Sequence, residues 1–337
     1  GRQVWPPDRQ RAADAALLAE AGAPPTSARG AMRDRRAGLN ARARPPRAPP
    51  PWLAHSPPPT QAAVVRPPPH LAATRPPSRH HLSLGEMGPH GDTLAYLDGE
   101  QVNVFGGIPG EKVVGRIFRY KPRRKRNRRL SAIVTEVLEG SPYRIQPPCP
   151  YFGPCSGCQW QHIAYDHQLY LKHNSVRTQF DKHQSLKTVT INDTLSATQQ
   201  FGYRNHARFT VRHGGKLGFV NRITRRFIAV NNCMIMASKI NNVLGNLFGH
   251  SQETSQISVR HGINTSDVLI QPELHNKKIH IASGQTHYNE TLLGKTFRIA
   301  SPSFFQVNTS QAEVLVKLVL EYLKLDGTET LIDAYAG

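Results

Sequence analysis

Cysteine is the residue type here whose spacing promises chemistry. Cys149-Pro-Tyr-Phe-Gly-Pro-Cys155-Ser-Gly-Cys158 sets three of the chain's four thiols on one Gly- and Pro-rich loop, and Cys233 follows 75 residues after Cys158. Thiolates are soft, strongly donating ligands, so a C-x5-C-x2-C run with one remote partner reads as a four-thiolate metal site. Three thiolates on a tight loop can surround a tetrahedral ion or face separate irons of a cubane cluster. The fourth then ties a distant segment to the loop. Structural zinc usually pairs its cysteines as two C-x2-C knuckles, a pattern this sequence lacks. Spacing alone leaves an iron–sulfur cluster, a zinc ion and unrelated buried thiols open. Clustered cysteines in a chain of 337 residues argue against a secreted disulfide scaffold and for a reducing, cytoplasmic compartment.

Charge points to the partner. The chain carries 43 Lys and Arg against 23 Asp and Glu, a net charge of +20. Two segments hold most of the excess. Residues 1–80 contain 13 Arg, no Lys and four acids, and residues 121–129 (Lys-Pro-Arg-Arg-Lys-Arg-Asn-Arg-Arg) add seven cations with no acid. A polyanion, nucleic acid first, fits this distribution, with Arg123, Arg124, Lys125, Arg126, Arg128 and Arg129 as candidate phosphate contacts. A solvated basic loop is the plain alternative. No apolar run reaches the ~20 residues of a membrane span, and no signal-peptide pattern is present.

Several elements must position these groups. Residues 1–80 hold 17 of the 27 prolines and little apolar periodicity, a composition that predicts disorder. Leu82–Met87, Thr93–Leu97, Gln101–Phe105, Glu111–Tyr120 and Leu130–Leu138 read as five short strands punctuated by Gly88-Pro89, Asp98-Gly99 and Pro109-Gly110, which suits a small OB-type barrel. The basic run falls between the last two strands. After the cysteine loop, Tyr165–Phe180 reads as a helix and Tyr203–Arg212, Leu217–Val220 and Phe227–Val230 as strands. Ser238–Leu247 reads as a helix. Ile257–His261, Ser266–Ile270 and Lys278–Ala282 are further strand candidates, giving an α+β region. Arg204, Arg208 and Arg212 alternate along one strand, a candidate RNA-facing stripe. Near the end, Ser310-Gln-Ala-Glu313 fits a capping box before a helix of period 3.6, and Glu329–Ile332 reads as a strand opening a Rossmann-like sheet.

With these residues quoted, a family resemblance is specific. Cys149 to His162 followed by Ala164-Tyr-Asp-His-Gln-Leu-Tyr-Leu-Lys172 resembles the iron–sulfur signature of the RNA uracil-5 methyltransferases, in the branch carrying a cluster. Ile108-Pro-Gly-Glu111 and Ser141-Pro-Tyr-Arg144 are similar to that family's TRAM barrel. Tyr203-Arg-Asn-His-Ala-Arg-Phe-Thr-Val211 and Val230-Asn-Asn-Cys233 resemble its central domain. Ser303-Phe-Phe-Gln306-Val-Asn308 and Leu331-Ile-Asp-Ala-Tyr-Ala-Gly337 resemble its cofactor-binding segments.

The resemblance implies a multidomain α/β and β protein. Its parts are a disordered 1–80, a TRAM domain over 81–142, an iron–sulfur loop over 143–165, a central α+β domain over 166–295 and the beginning of a methyltransferase domain over 296–337. It implies a [4Fe-4S] cluster on Cys149, Cys155, Cys158 and Cys233, and S-adenosyl-L-methionine at Gln306 and Tyr335. Trp160 and His162 would shield the cluster, with base stacking as the alternative. The reaction implied is methylation of uracil C5 in structured RNA, 23S ribosomal RNA ahead of transfer RNA. In that reaction a cysteine thiolate adds to C6, C5 takes the methyl group and a base removes the C5 proton. With every cysteine given to the cluster, the catalytic cysteine and base are expected beyond Gly337, and this chain alone is expected to be an inactive fragment, monomeric and RNA-binding. The rival reading is a non-catalytic RNA-binding protein with a structural zinc or iron–sulfur site.

Overall fold

The computed structural model describes residues 78–120 and 129–334. Most of the segment expected to be disordered, five of the six candidate phosphate-binding cations and Tyr335 lie outside the described residues. Residues 59–314 cluster as one compact unit, and Leu315 onward falls outside it.

The first five strands are β1 (Arg79–Ser83), β2 (Thr93–Leu97), β3 (Glu100–Phe105), β4 (Lys112–Tyr120) and β5 (Arg129–Glu139). They form one sheet in the order β1-β4-β5-β3-β2, antiparallel except for the β3–β5 pair. The sheet curls shut where Gly85 N–H donates to Leu94 O (2.7 Å) and Leu94 N–H donates to Glu86 O (2.9 Å). Alternation explains the interior: Ala95, Val102, Val104, Val113 and Ala132 point inward and are buried. Register irregularities in β4 beside Val113 and Gly115 bend that strand as a bulge does. At Gly115 a Cβ would stand 2.7 Å from Leu82 Cδ1, so a larger residue there would have to displace the end of that core side chain.

The central region is a second antiparallel sheet, order β10-β9-β6-β7-β8, built from β6 (His206–Arg212), β7 (Lys216–Val220), β8 (Phe227–Ala229), β9 (Gln256–His261) and β10 (Val268–Gln271). In β6, Ala207, Phe209 and Val211 turn into the core while Arg208 and Arg212 face solvent. Helix α1 (Tyr165–Phe180) joins the cysteine loop to this region. Helix α2 (Ser238–Leu247) lays Ile240, Val243, Leu244 and Leu247, spaced at i, i+3, i+4 and i+7, on the core face of the sheet. Phe209, fully buried there, contributes about 1.5–3 kcal/mol of transfer energy.

Three expectations are corrected. Lys278–Ala282 is irregular, not a strand; its alternation arises because Ile279 and Ile281 pack on the α2–sheet core without strand pairing. A hairpin that the sequence reading missed, β11 (His287–Leu292) and β12 (Lys295–Ala300), covers part of the other sheet face through Leu269, Tyr288 and Ile299. Glu329–Ile332 forms no strand, since no neighbouring strand among the described residues supplies its hydrogen bonds. Helix α3 (Thr309–Leu323) is present, but its cap is Asn308 and not the Ser310 box. Asn308 Oδ1 accepts from Gln311 N–H (3.2 Å), while Glu313 accepts from Leu293 N–H (3.1 Å).

Candidate functional site: a pocket of four thiols

The cysteine loop leaves the barrel at a buried ion pair. Glu111, 1% exposed, accepts from the backbone N–H groups of Ile108 (2.9 Å) and Ser141 (3.0 Å) and from Arg144 Nε (2.6 Å). Burial pushes its carboxyl pKa up, but the hydrogen bonds and charge of Arg144, with the two backbone donors, more than offset this and hold it below the usual value. Beyond Arg144, Trp160 packs with Met87, Ile108, Ile163 and Leu171, and its Nε1 donates to Gly91 O (3.0 Å). His162 is 3% exposed and tilted against the Phe152 ring. His162 is covered and Trp160 half-buried, and both fix the loop to the barrel, His162 through Nε2 against Gly107 O (3.4 Å).

Between these anchors the chain wraps through left-handed turns at Gly153 (φ 85°) and Ser156 (φ 55°). Phe152 N–H donates to Cys149 O (3.1 Å) and Cys155 N–H to Tyr151 O (2.9 Å). Three contacts dock the loop on the central sheet. The Tyr151 hydroxyl donates to Asn231 Oδ1 (2.6 Å), Asn221 Nδ2 donates to Pro154 O (2.8 Å) and Arg222 N–H donates to Ser156 Oγ (2.9 Å). Cys233 is held from α2, where Asn241 Oδ1 accepts from Cys233 N–H (2.8 Å) and Asn241 Nδ2 donates to Cys233 O (3.1 Å). No sequence signal marks Asn241 as this support.

All four thiols line one cavity of about 230 Å³, with Phe219, Val230 and Met236 among its apolar walls and Arg204 at its side. Each cysteine is a half-buried free thiol. Among the described residues, no three His, Cys, Asp or Glu side chains converge tightly enough to hold a single ion. Burial raises the thiol pKa of Cys155 and Cys158, and pushes Cys233 up to about 11, the neighbouring thiols adding to each. Ligation would therefore displace protons from this pocket, and a cation would take over charge the apolar walls disfavour. At Gly157 a Cβ would stand 3.3 Å from Cys155 Sγ, so the absence of a side chain keeps the thiols room.

The other candidate residues sit as follows. Gln306 is exposed, and only its main chain is engaged, its carbonyl accepting from Asn205 Nδ2 (2.9 Å). Asn205 adjoins Arg204, so the segment 306–309 is laced to the wall of the thiol pocket. Thr309 donates to Glu290 (2.8 Å) and accepts from Asn205 (3.0 Å). Arg129 opens β5 opposite Tyr120, so the basic run spans the β4–β5 connection. Arg204 precedes β6, its Nε donates to His206 O (3.0 Å), and it lines the thiol pocket together with Arg208.

A barrel followed by an α+β region that closes four thiols into one pocket is the class that fold and site define. The chain is a homologue of proteins named RNA methyltransferases. It is 27% identical over 310 residues to an uncharacterized RNA methyltransferase of Halalkalibacterium halodurans, covering 76% of this chain and 67% of that protein. A second, from Bacillus cereus, is 29% identical over 308 residues, covering 73% and 64%. The chain thus spans about two thirds of the length of the curated relatives it matches. No family model matches it. Among solved structures, a tRNA (uracil-54, C5)-methyltransferase of Pyrococcus abyssi in complex with S-adenosyl-L-homocysteine is 18% identical, covers 71% of this chain and 65% of that one, and superposes with a TM-score of 0.49. That likeness is too loose to transfer residues. No described helix is long and apolar enough to cross a membrane.

Proposed function

We propose that this chain takes part in S-adenosylmethionine-dependent methylation of uracil C5 in RNA, giving 5-methyluridine. One observation carries the reading: Cys149, Cys155, Cys158 and Cys233 line one cavity in a homologue of RNA methyltransferases. The four thiols stand around a space, which is the requirement of a [4Fe-4S] cubane whose irons each take one thiolate. When bound, the cluster fastens the loop to the central sheet, and methyl transfer from a sulfonium asks no electron of it.

The chain's own residues divide the remaining work. The barrel acts as a TRAM domain over 81–142, and the central domain over 166–295 offers Arg208 and Arg212. Arg123, Arg124, Lys125, Arg126, Arg128 and Arg129 bind backbone phosphates without reading sequence. Gln306 and Tyr335, in the segment 296–337, meet S-adenosylmethionine. Ribosomal RNA is favoured over transfer RNA as substrate, in a cytoplasmic setting.

Mass spectrometry of RNA from cells lacking the gene tests the reaction. Loss of a 5-methyluridine is the expected result; 5-methyluridine unchanged at every position in ribosomal and transfer RNA overturns it. Anaerobic purification tests the cluster, since brown protein with iron and acid-labile sulfide is expected, and zinc without sulfide overturns it.

A further inference from the structure

Three aromatic rings outside the thiol pocket form a ladder on the surface. Tyr143 and His167 stack with centroids 3.9 Å apart and planes 6° from parallel. His167 and Tyr170 follow at 5.4 Å and 22°. The rings come from two segments: Tyr143 lies just past β5, while His167 and Tyr170 lie on the first turns of α1. Backbone bonds hold these segments together, since Ala164 N–H donates to Tyr143 O (2.8 Å) and Ile145 N–H donates to His162 O (3.0 Å). Even so, Tyr143 is 48% and Tyr170 57% exposed. Joining the segments needs only the inner pair. Tyr170 adds a third ring on a residue more than half open to solvent, flat apolar surface that a further flat group can cover.

We propose that Tyr143, His167 and Tyr170 are a stacking platform for an unpaired base of the RNA substrate, with the open face of Tyr170 as the landing surface. This rests on the RNA reading above and names the substrate as RNA with a single-stranded stretch. Paired bases already stack within their helix and their faces are closed, whereas a loop base is free to lie on an aromatic ring. Rings held in place by two backbone segments receive such a base without first being ordered. The chain's charge of +20 supplies the attraction that brings a polyanion to the site, leaving the ladder to select unpaired bases within it.

The test uses the full chain and a uridine-rich RNA hairpin carrying 2-aminopurine in its loop. Stacking should quench that fluorophore on binding. Tyr170→Ala should weaken hairpin binding about 5- to 100-fold, the range expected for losing one stacked base. The same variant should remove the quenching and leave binding of fully paired RNA unchanged. Tyr170→Trp should restore both affinity and quenching, and Tyr170→Leu neither, which separates stacking from simple apolar contact. Tyr170 is exposed, so thermal unfolding should not change. Hairpin binding by the parent chain with no quenching at any loop position, or with Tyr170→Ala indistinguishable from the parent, overturns the platform. Failure of the parent chain to bind any RNA overturns the RNA reading itself.

Discussion

Arg144 grips Glu111 with two parallel contacts, Nε to Oε1 at 2.6 Å and Nη2 to Oε2 at 2.5 Å, and the pair stands where the barrel hands the chain to the cysteine loop. Glu111 is 1% exposed, so its charge depends on that partner and on two backbone donors. Arg144→Ala, which strands a buried carboxylate, should cost about 3–5 kcal/mol in urea unfolding at pH 7. Replacing both residues with apolar ones of similar volume should recover much of the loss. A double variant that costs the sum of the Arg144 and Glu111 single losses would mean that the pair is not coupled.

Acid should weaken the same junction in two stages. Burial, with the charge of Arg144 adding to it, lowers the pKa of His162 to about 4 from an ordinary 6.5. A histidine depressed in the folded state stabilises fully above its unfolded value, and that share is lost as pH falls from about 6.5 to 4. Glu111, also depressed, keeps its share above about 4.5 and loses it below. Urea midpoints measured from pH 7.5 to 4 should fall across the first window, and His162→Phe should flatten that fall. An unchanged slope in the variant would assign the pH dependence elsewhere.

Cys233 is presented by Asn241, which bonds both its N–H and its carbonyl. Asn241→Leu should loosen metal retention about 10- to 100-fold, the usual cost of removing a group that orients a ligand. Iron and sulfide content after a timed chelator challenge checks this. Cys233→Ser should lower loading further, and retention equal to the parent in both variants would exclude Cys233 as a ligand.

Glu290 is fully buried with no cation bonded to it among the described residues. It accepts from Ile263 N–H (2.9 Å), Asn264 N–H (2.9 Å), Thr291 N–H (3.0 Å) and Thr309 Oγ1 (2.8 Å). Glu290→Ala leaves these donors unpaired and should cost ~3 kcal/mol or more in denaturant unfolding. A cost below about 1 kcal/mol would show that water replaces the carboxylate.

RNA affinity should fall steeply with salt, since each phosphate contact contributes a slope of about −0.7 for single strands. Neutralising Arg123, Arg124, Lys125 and Arg126 together should reduce that slope by about 2–3. A slope that does not change would place the phosphates elsewhere on the chain.

What was legible in the sequence depended on how local its cause was. Asp98-Gly99 marks the β2–β3 hairpin because both residues adopt positive φ, 52° and 79°, as such two-residue turns demand. The β11–β12 turn uses Leu293 at φ 48° before Gly294, and leucine in that conformation is no turn signal, so the hairpin went unread. Ile279 and Ile281 imitated a strand because apolar alternation reports burial, and burial does not require a ladder. In the pocket, thiol types and spacing pointed to one site. The Asn241 support, the pairing of Glu111 with Arg144 and the stacking of Tyr143, His167 and Tyr170 stayed hidden, because each acts across a fold that no local pattern records.

The distance along the chain from Cys158 to Cys233 also sets a clock. At a synthesis rate of roughly 5–20 residues per second, the 75 residues between them take about 4–15 s to emerge. The barrel, complete by Glu139, can close within that interval, while three thiols wait on a loop whose fourth wall is not yet made. A group that takes all four thiols can therefore load only once Cys233 has emerged and the central sheet has closed on the loop.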